Sequence, residues 1–321
     1  MAATSLILLN FLLLLGVFHC EDVELRVYKG SFGNYVIVTL DKICDILPHI
    51  DKEKTTVFTT NGLGGSPTGP QVQALASALL DTQQYNVIFL DWSEESQVGP
   101  LGVTVTYIIS AAPKAIKIGC EFGRKLAALV QCGLDSHKIY LIGHSLGAHM
   151  MGEAGRCALD NDILIPRITG LDPSGPLFQG LVKYPALEKA SAYFVDVIHT
   201  DTGKYGSKTS MGTVDFYPNY RKTNAKQPGC PEGNFKQLSP EDRCSHDRAV
   251  LLFCEGTRNP HTLMAAGAKN FDDWQKQNGT TDDINYIGPL TDFTVSGNYY
   301  LTTNSESLYS KGEEGLKPPS Q

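Results

Sequence analysis

Uninterrupted apolar or threonine-rich runs alternate along this chain with segments whose apolar residues recur every three or four positions. Residues 55–60 and 87–92 read as buried strands, because each is short and rich in β-formers. Between them Val72, Leu75, Ala76, Leu79 and Leu80 share one helical face, so residues 71–82 are predicted to form a crossover helix. A second stripe, Ala115, Ile118, Phe122, Leu126 and Leu129, predicts a helix over 114–132 that stops at Gly133. Further strands are predicted over 139–142, 168–171 and 194–199. Strand and helix alternating in this way define an α/β fold: a central, mostly parallel sheet with helices on both faces. Ligands of such sheets sit beyond the carboxyl ends of the strands, so the polar residues that follow each strand should converge on one rim.

The strand over 139–142 runs directly into Gly143-His144-Ser145-Leu146-Gly147, and the small-residue stretch from Ala148 to Gly155 follows. Gly-x-Ser-x-Gly between a buried strand and a helix has the form of a nucleophile elbow. The turn is too tight for a side chain at either glycine, and the helix aims its free N–H groups at the reaction. The chemistry this implies is acyl transfer to Ser145, which needs a base to take the hydroxyl proton and an acid to orient that base.

In this fold the order along the chain is Ser, then Asp or Glu, then His. That order leaves three of the eight histidines, His199, His246 and His261. His199 closes a strand, where a hydrogen-bonded structural histidine is the plainer reading. His261 follows Pro260 with no buried element before it. His246 stands next to a cysteine-serine pair and ahead of the apolar face Ala249, Val250, Leu252 and Phe253, which would fix it as a general base requires. Ser245 is read as the N-cap of that helix and Asp247 as a first-turn acid. For the orienting carboxylate, Asp172 ends the strand after the elbow helix, in Gly170-Leu171-Asp172-Pro173-Ser174-Gly175-Pro176, where prolines and glycine stop the strand at the rim. Its rivals are Asp196, read as a structural hydrogen bonder inside a strand, and Asp201, read as a turn cap. The oxyanion would be held by the backbone amides of Leu146 and of Leu63, the latter in the loop Asn61-Gly62-Leu63-Gly64-Gly65.

Composition sets the compartment. Residues 6–18 are apolar apart from Asn10, too few to cross a bilayer and placed where a signal peptide's core belongs. Residues 1–20 are therefore expected to be removed, leaving a secreted, extracellular protein with one domain over 21–309 and a flexible Lys-, Glu-, Gly- and Pro-bearing tail over 310–321. No other stretch is long enough for a transmembrane segment. The net charge of -7 argues against nucleic acid and offers anionic membranes no attraction. Eight cysteines, seven without Cys20, suit an oxidising compartment. There is no Cys-x-x-Cys and no ligand spacing among the histidines, so neither a metal nor a cofactor is expected. Cys230 and Cys244 bracket a polar, turn-rich loop and are expected to pair, for about 3 kcal/mol by the loop-entropy model. The partners of the other cysteines are not legible from spacing. Asn278-Gly279-Thr280 is a glycosylation sequon in a polar stretch.

The motifs GHSLGAH (143–149), GLDPSGP (170–176), VDVIHT (195–200), GTVDFYP (212–218) and QPGC (227–230), followed by Cys244-Ser245-His246, stand in this order along the chain. By them the chain resembles the pancreatic lipase family of the α/β-hydrolases, most closely the short insect-type lipases and venom phospholipases of the A1 class. The resemblance implies an α/β-hydrolase fold, the triad Ser145, Asp172 and His246, and the oxyanion donors Leu63 and Leu146. Asn61-Gly62 stands where the family usually has His-Gly, which bears on the geometry of that loop. The calcium-binding carboxylates of the larger pancreatic enzymes fall on Lys183 and Ser191, so no such site is expected. With the residues that follow Glu255 here, those enzymes' C-terminal β-sandwich is not expected. The family's lid lies between the cysteines matched by Cys230 and Cys244, with Phe235 and Leu238 as its large apolar residues. A lid this short cannot cover much of a cleft.

The reading that results is a serine hydrolase acting on lipid at a membrane or droplet surface, with phospholipid favoured over triacylglycerol and the sn-1 acyl chain released. A neutral lipase or small-ester esterase is the alternative within enzymes. A non-catalytic lipid-binding or yolk-like protein is the alternative outside them.

Overall fold

The computed structural model describes residues 23–180, 183–222 and 226–319. The expected signal peptide, residues 1–20, lies outside the described residues. Strands β1 (Glu24–Ser31) and β2 (Asn34–Thr39) form an antiparallel hairpin. Then come β3 (Thr55–Thr60), β4 (Tyr85–Asp91), β5 (Ile139–His144), β6 (Arg167–Leu171), β7 (Phe194–Ile198) and β8 (Val214–Pro218). The last three are β9 (Met264–Gly267), β10 (Ile284–Tyr286) and β11 (Gly297–Leu301). All join one sheet in the order β10-β9-β11-β8-β7-β6-β5-β3-β4-β1-β2. Its centre, from β4 to β11, is parallel, and each edge carries two antiparallel strands.

Helices cover both faces, as the alternating pattern predicts. Helix α1 (Pro70–Asp81) begins with proline at its first turn, where the missing N–H has no partner to lose. A short α2 (Val103–Thr106) passes through a π-turn over Tyr107–Ala111 into α3 (Ala112–Gln131). Helix α4 (Leu146–Leu159) follows the elbow, and α5 (Pro240–Arg258) and α6 (Phe271–Gln277) lie in the last third. Helices α3 and α4 pack Ile118, Phe122, Met150 and Ala154 with Phe58 and Leu141 of the sheet. Helices α1 and α5 pack Leu75, Leu79, Val250 and Phe253 with Val57, Ile142 and Phe216 on the other side.

Two expectations are corrected. Ser245 is not an N-cap: α5 starts six residues earlier, where Ser239 Oγ accepts from the Asp242 amide at 3.3 Å, Pro240 takes the first turn, and Glu241 and Asp242 face the positive end of the helix. Ser245 lies inside the helix, and its Oγ accepts from the Gln227 amide at 3.0 Å. The tail is not loose over its described part. Gly312–Leu316 forms a 3-10 helix, Leu316 is buried beside Trp274 and Tyr300, Trp274 Nε1 donates to Leu316 O at 2.8 Å, and Thr302 N donates to Gly315 O at 2.7 Å. One apolar anchor, one indole bond and one backbone bond hold a segment whose composition points to disorder.

Among the described residues three disulfides brace the covering layer. Cys44–Cys132 ties the 3-10 segment Leu40–His49 to the end of α3, Cys120–Cys157 ties α3 to α4, and Cys230–Cys244 closes the loop onto α5. Cys254 is buried in α5 and unbridged. Asp196 is a structural partner: Arg167 holds it through two bonds of 2.9 Å, with the Tyr140 and Phe293 rings against the guanidinium.

Candidate active site

Strand β5 delivers Ser145 at φ 58°, ψ -123°, a conformation L-residues rarely adopt. The flanking glycines make it attainable. A Cβ at Gly143 would stand 2.3 Å from Gly147 O, and one at Gly147 would stand 2.6 Å from Asn61 O. The elbow is held by Ser145 N donating to Leu171 O at 3.0 Å and by Ala148 N donating to Ser145 O at 3.1 Å. Ser145 therefore stands between the ends of β5 and β6, at the first turn of α4.

Asp172 follows β6 and is fully buried. Its Oδ1 accepts from the amides of Thr200 at 2.7 Å and Asp201 at 3.0 Å, and its Oδ2 lies 2.5 Å from His246 Nδ1. Because a carboxylate can only accept, the hydrogen bond to Asp172 Oδ2 places the imidazole proton on Nδ1 and leaves Nε2 with its lone pair. Burial alone would depress the His246 pKa, but the hydrogen bond and charge of Asp172, joined by Asp247 and Asp201, raise it above the ordinary histidine value. His246 and Ser145 line the same cleft, whose volume is about 200 Å³ and whose remaining wall includes Leu63, Val103, Tyr107 and Ile108. Tyr107 is anchored by bonds to Ser174 Oγ at 2.7 Å and Pro176 O at 2.8 Å.

The loop expected to hold the oxyanion follows β3. Gly62 sits against Ser145: a Cβ there would lie 2.7 Å from Ser145 Cβ and 3.2 Å from the Leu146 amide nitrogen. The amides of Gly64 and Gly65 are committed to Ser96 O and Gly62 O, and Trp92 Nε1 donates to Asn61 O at 3.0 Å, so the loop carrying Leu63 is pinned on both sides. Asn61, in the position that departs from the family's histidine, keeps its buried Oδ1 without a hydrogen-bond partner.

The rejected histidines have other work. His199 Nε2 lies 2.7 Å from Asp215 Oδ1 and its ring stacks on Tyr217. His261 is exposed. His144, whose ring lies 4.6 Å from that of His246, is pushed well below the ordinary value, first by burial and then by the charge of His246. His149 bridges Ser174 O and the Leu187 amide, and burial pushes it down to about 3.

Asp201 does more than a turn cap. It accepts from the Tyr205 amide at 3.3 Å, and burial followed by the charge of Asp172 pushes its pKa up to about 6. Ligand atoms of Asp172, Asp201 and His246 lie within 4.8 Å of one another. A metal there would have to displace donors that already fill the Asp172 carboxylate. The other such cluster among the described residues, Cys120, Glu153 and Cys157, is consumed by the disulfide. Where the resemblance implies calcium ligands, Lys183 is exposed and Ser191 Oγ accepts from Arg156 at 3.1 Å.

This arrangement presents a strained serine, an imidazole with a fixed tautomer and a saturated carboxylate at one rim. It can transfer an acyl group. The family model for Lipase matches residues 46–309, and the chain belongs to that family. It is 35% identical over 235 residues to lipase member H-B of Xenopus laevis, covering 72% of this chain and 48% of that protein. It is 31% identical over 279 residues to phospholipase A1 VesT1.02 of Vespa tropica, covering 86% and 89%. It is 29% identical over 266 residues to pancreatic triacylglycerol lipase of Myocastor coypus, covering 77% and 55%. The chain thus spans about half the length of the first and third of these relatives and most of the second.

Proposed function

We propose that the chain is a secreted phospholipase A1 that releases the sn-1 acyl chain through an acyl-enzyme on Ser145. The observation that carries the acyl-enzyme is the 2.5 Å bond between His246 and Asp172 beside a serine held in the elbow conformation. His246 Nε2 takes the proton of Ser145 Oγ as the oxygen attacks the ester carbonyl, and the oxyanion turns to the amides of Leu146 and Leu63. His246 then returns the proton to the leaving alcohol oxygen, and water repeats the sequence on the acyl-enzyme. Asp172 orients the imidazole and stabilises the imidazolium as it forms.

Phospholipid is favoured because the loop closed by Cys230–Cys244, with a sequence separation of 14, is too short to cover much of a cleft whose wall it joins through Gln237 and Leu238. Contact with the lipid surface is assigned to the segment entering α3. Residues 96–113 contain no charged side chain, Leu101 and Ile109 are 70% and 66% exposed, and Val103 and Ile108 of the same segment line the cleft. Such an uncharged apolar edge, continuous with the site, suits a lipid aggregate better than water. No helix among the described residues is long and apolar enough to cross a membrane. Three disulfides suit secretion, and Asn278, exposed at the end of α6, is open to glycosylation.

The test is fatty-acid release from phosphatidylcholine labelled separately at sn-1 and sn-2, beside triolein and a nitrophenyl ester, with fluorophosphonate labelling of wild type and Ser145→Ala. Release from sn-1 and labelling lost with Ser145 are expected. Preference for triolein would transfer the reading to a neutral lipase, and absence of labelling would leave the non-catalytic lipid-binding reading.

A further inference from the structure

Among the described residues that line the cleft, Arg243 is the sole Arg, Lys, Asp or Glu. Its side chain is 21% exposed, its nearest carboxylate is Asp247 Oδ2 at 3.7 Å, and its Nε is buried with no hydrogen-bond partner. That carboxylate oxygen already accepts from Gln71 Nε2 at 2.6 Å. A guanidinium with five donors is thus held at a cleft wall by one long ion pair, which leaves most of its hydrogen-bonding capacity unspent.

Its place in the chain fixes which part of a substrate it would meet. Arg243 precedes His246 by three residues in α5, so the two project from neighbouring positions on one side of the helix. The base must return its proton to the leaving oxygen, so the alcohol portion of the ester departs on the His246 side. In an sn-1 phospholipid ester that portion is the glycerol, and only its three carbons separate the leaving oxygen from the oxygen that carries phosphorus. A triacylglycerol offers a neutral ester at the same place.

We propose that Arg243 forms a phosphodiester subsite, its guanidinium pairing with the sn-3 phosphate while Ser145 attacks the sn-1 ester. Planar guanidinium and phosphate match through parallel N–H···O bonds, and the partly desolvated wall strengthens them. This rests on the phospholipase reading and supplies the element that makes the substrate class more than a matter of lid length.

The experiment compares wild type, Arg243→Gln and Arg243→Lys on monomeric dihexanoylphosphatidylcholine and on nitrophenyl butyrate, with fluorophosphonate labelling of Ser145 reporting that the site is assembled. The ratio of kcat/KM for phospholipid to that for the nitrophenyl ester is expected to fall about 10- to 100-fold in Arg243→Gln, the worth of a charged hydrogen-bonded pair. Arg243→Lys should lie between, since an ammonium keeps the charge but not the fork. An unchanged ratio overturns the subsite, and so does a parallel loss of both activities and of labelling, which would make Arg243 a structural support for α5. If wild type itself cleaves the nitrophenyl ester but not the phospholipid, the phospholipase reading falls, and the subsite with it.

Discussion

Gly62→Ala tests the oxyanion geometry with a single methyl group. The new Cβ would lie 2.7 Å from Ser145 Cβ, 2.9 Å from Ser145 Oγ and 3.2 Å from the Leu146 amide nitrogen. Non-bonded carbons rest at about 3.5–4.0 Å, so the loop and the nucleophile must separate by roughly 1 Å. Neither side yields easily, because Ser145 is locked in its turn by Gly143 and Gly147 and the Asn61 carbonyl is held by Trp92. A displacement of this size at reacting atoms costs on the order of 10²-fold, and loss of one oxyanion donor about 10²- to 10³-fold in kcat. We therefore expect kcat/KM for nitrophenyl butyrate to drop by about 10²- to 10³-fold, with an overpacking cost of about 1–3 kcal/mol in stability. Esterase kinetics and thermal unfolding, read together, separate the two effects. Activity within threefold of wild type in a folded Gly62→Ala protein would refute the placement of the oxyanion beside Gly62.

Asp172→Asn should lower kcat by about 10⁴-fold, because an amide donating to Nδ1 would impose the wrong tautomer on His246; single-turnover acylation by a nitrophenyl ester measures it. Because Asp172 and its acidic neighbours raise the His246 pKa, the neutral base is lost as pH falls through a value above the ordinary 6.5, and the acid limb of kcat/KM should lie above that value. Asp201→Asn removes one of the charges responsible and should move that limb to lower pH; an unmoved limb would exclude Asp201 from the electrostatics of the base. Leu101→Asp with Ile109→Asp should weaken co-sedimentation with phosphatidylcholine vesicles at least tenfold, each buried apolar side chain being worth about 1.5–3 kcal/mol. Hydrolysis of soluble nitrophenyl butyrate is the control for that pair.

The sequence is most legible where covalent geometry leaves one solution. Gly143 and Gly147 announce the elbow because nothing larger fits, and the prolines after Asp172 announce a strand that stops at the rim. The crossover helices are visible because each buries one face, so Val72 to Leu80 and Ala115 to Leu129 display the helical period. Strands β8 to β11 escape the reading because they are short and broken by polar residues such as Asp215 and Asn285, whose burial depends on partners distant in the chain. The π-turn before α3 has no signature separate from the helix it joins. Ser245 is misread because the chain offers two serines ahead of an apolar face, and only the Pro-Glu-Asp after Ser239 marks the true start. The role of Asp201 is a product of three dimensions: its amide serves Asp172 while its side chain raises His246.

The loop between Cys230 and Cys244 bears on whether this protein needs an interface to open. Its inner end is fastened by polar bonds. Asp242, in the first turn of α5, accepts from the Leu238 amide at 2.9 Å and from Lys204 Nζ at 2.8 Å, and it bonds the Tyr205 hydroxyl beside His246. These donors hold its carboxyl below the usual range against the opposing effect of desolvation, so the latch is charged at neutral pH. A loop with only Phe235 and Leu238 to offer a lipid phase gains little by swinging into it, about 1.5–3 kcal/mol for each side chain fully buried. Swinging would also break the Asp242 bonds and strain the disulfide. Access to Ser145 should then not require the loop to move, and hydrolysis of tributyrin should rise smoothly through its solubility limit. A step increase in rate at saturation would show that the latch opens at an interface after all, and that the short loop works as a lid.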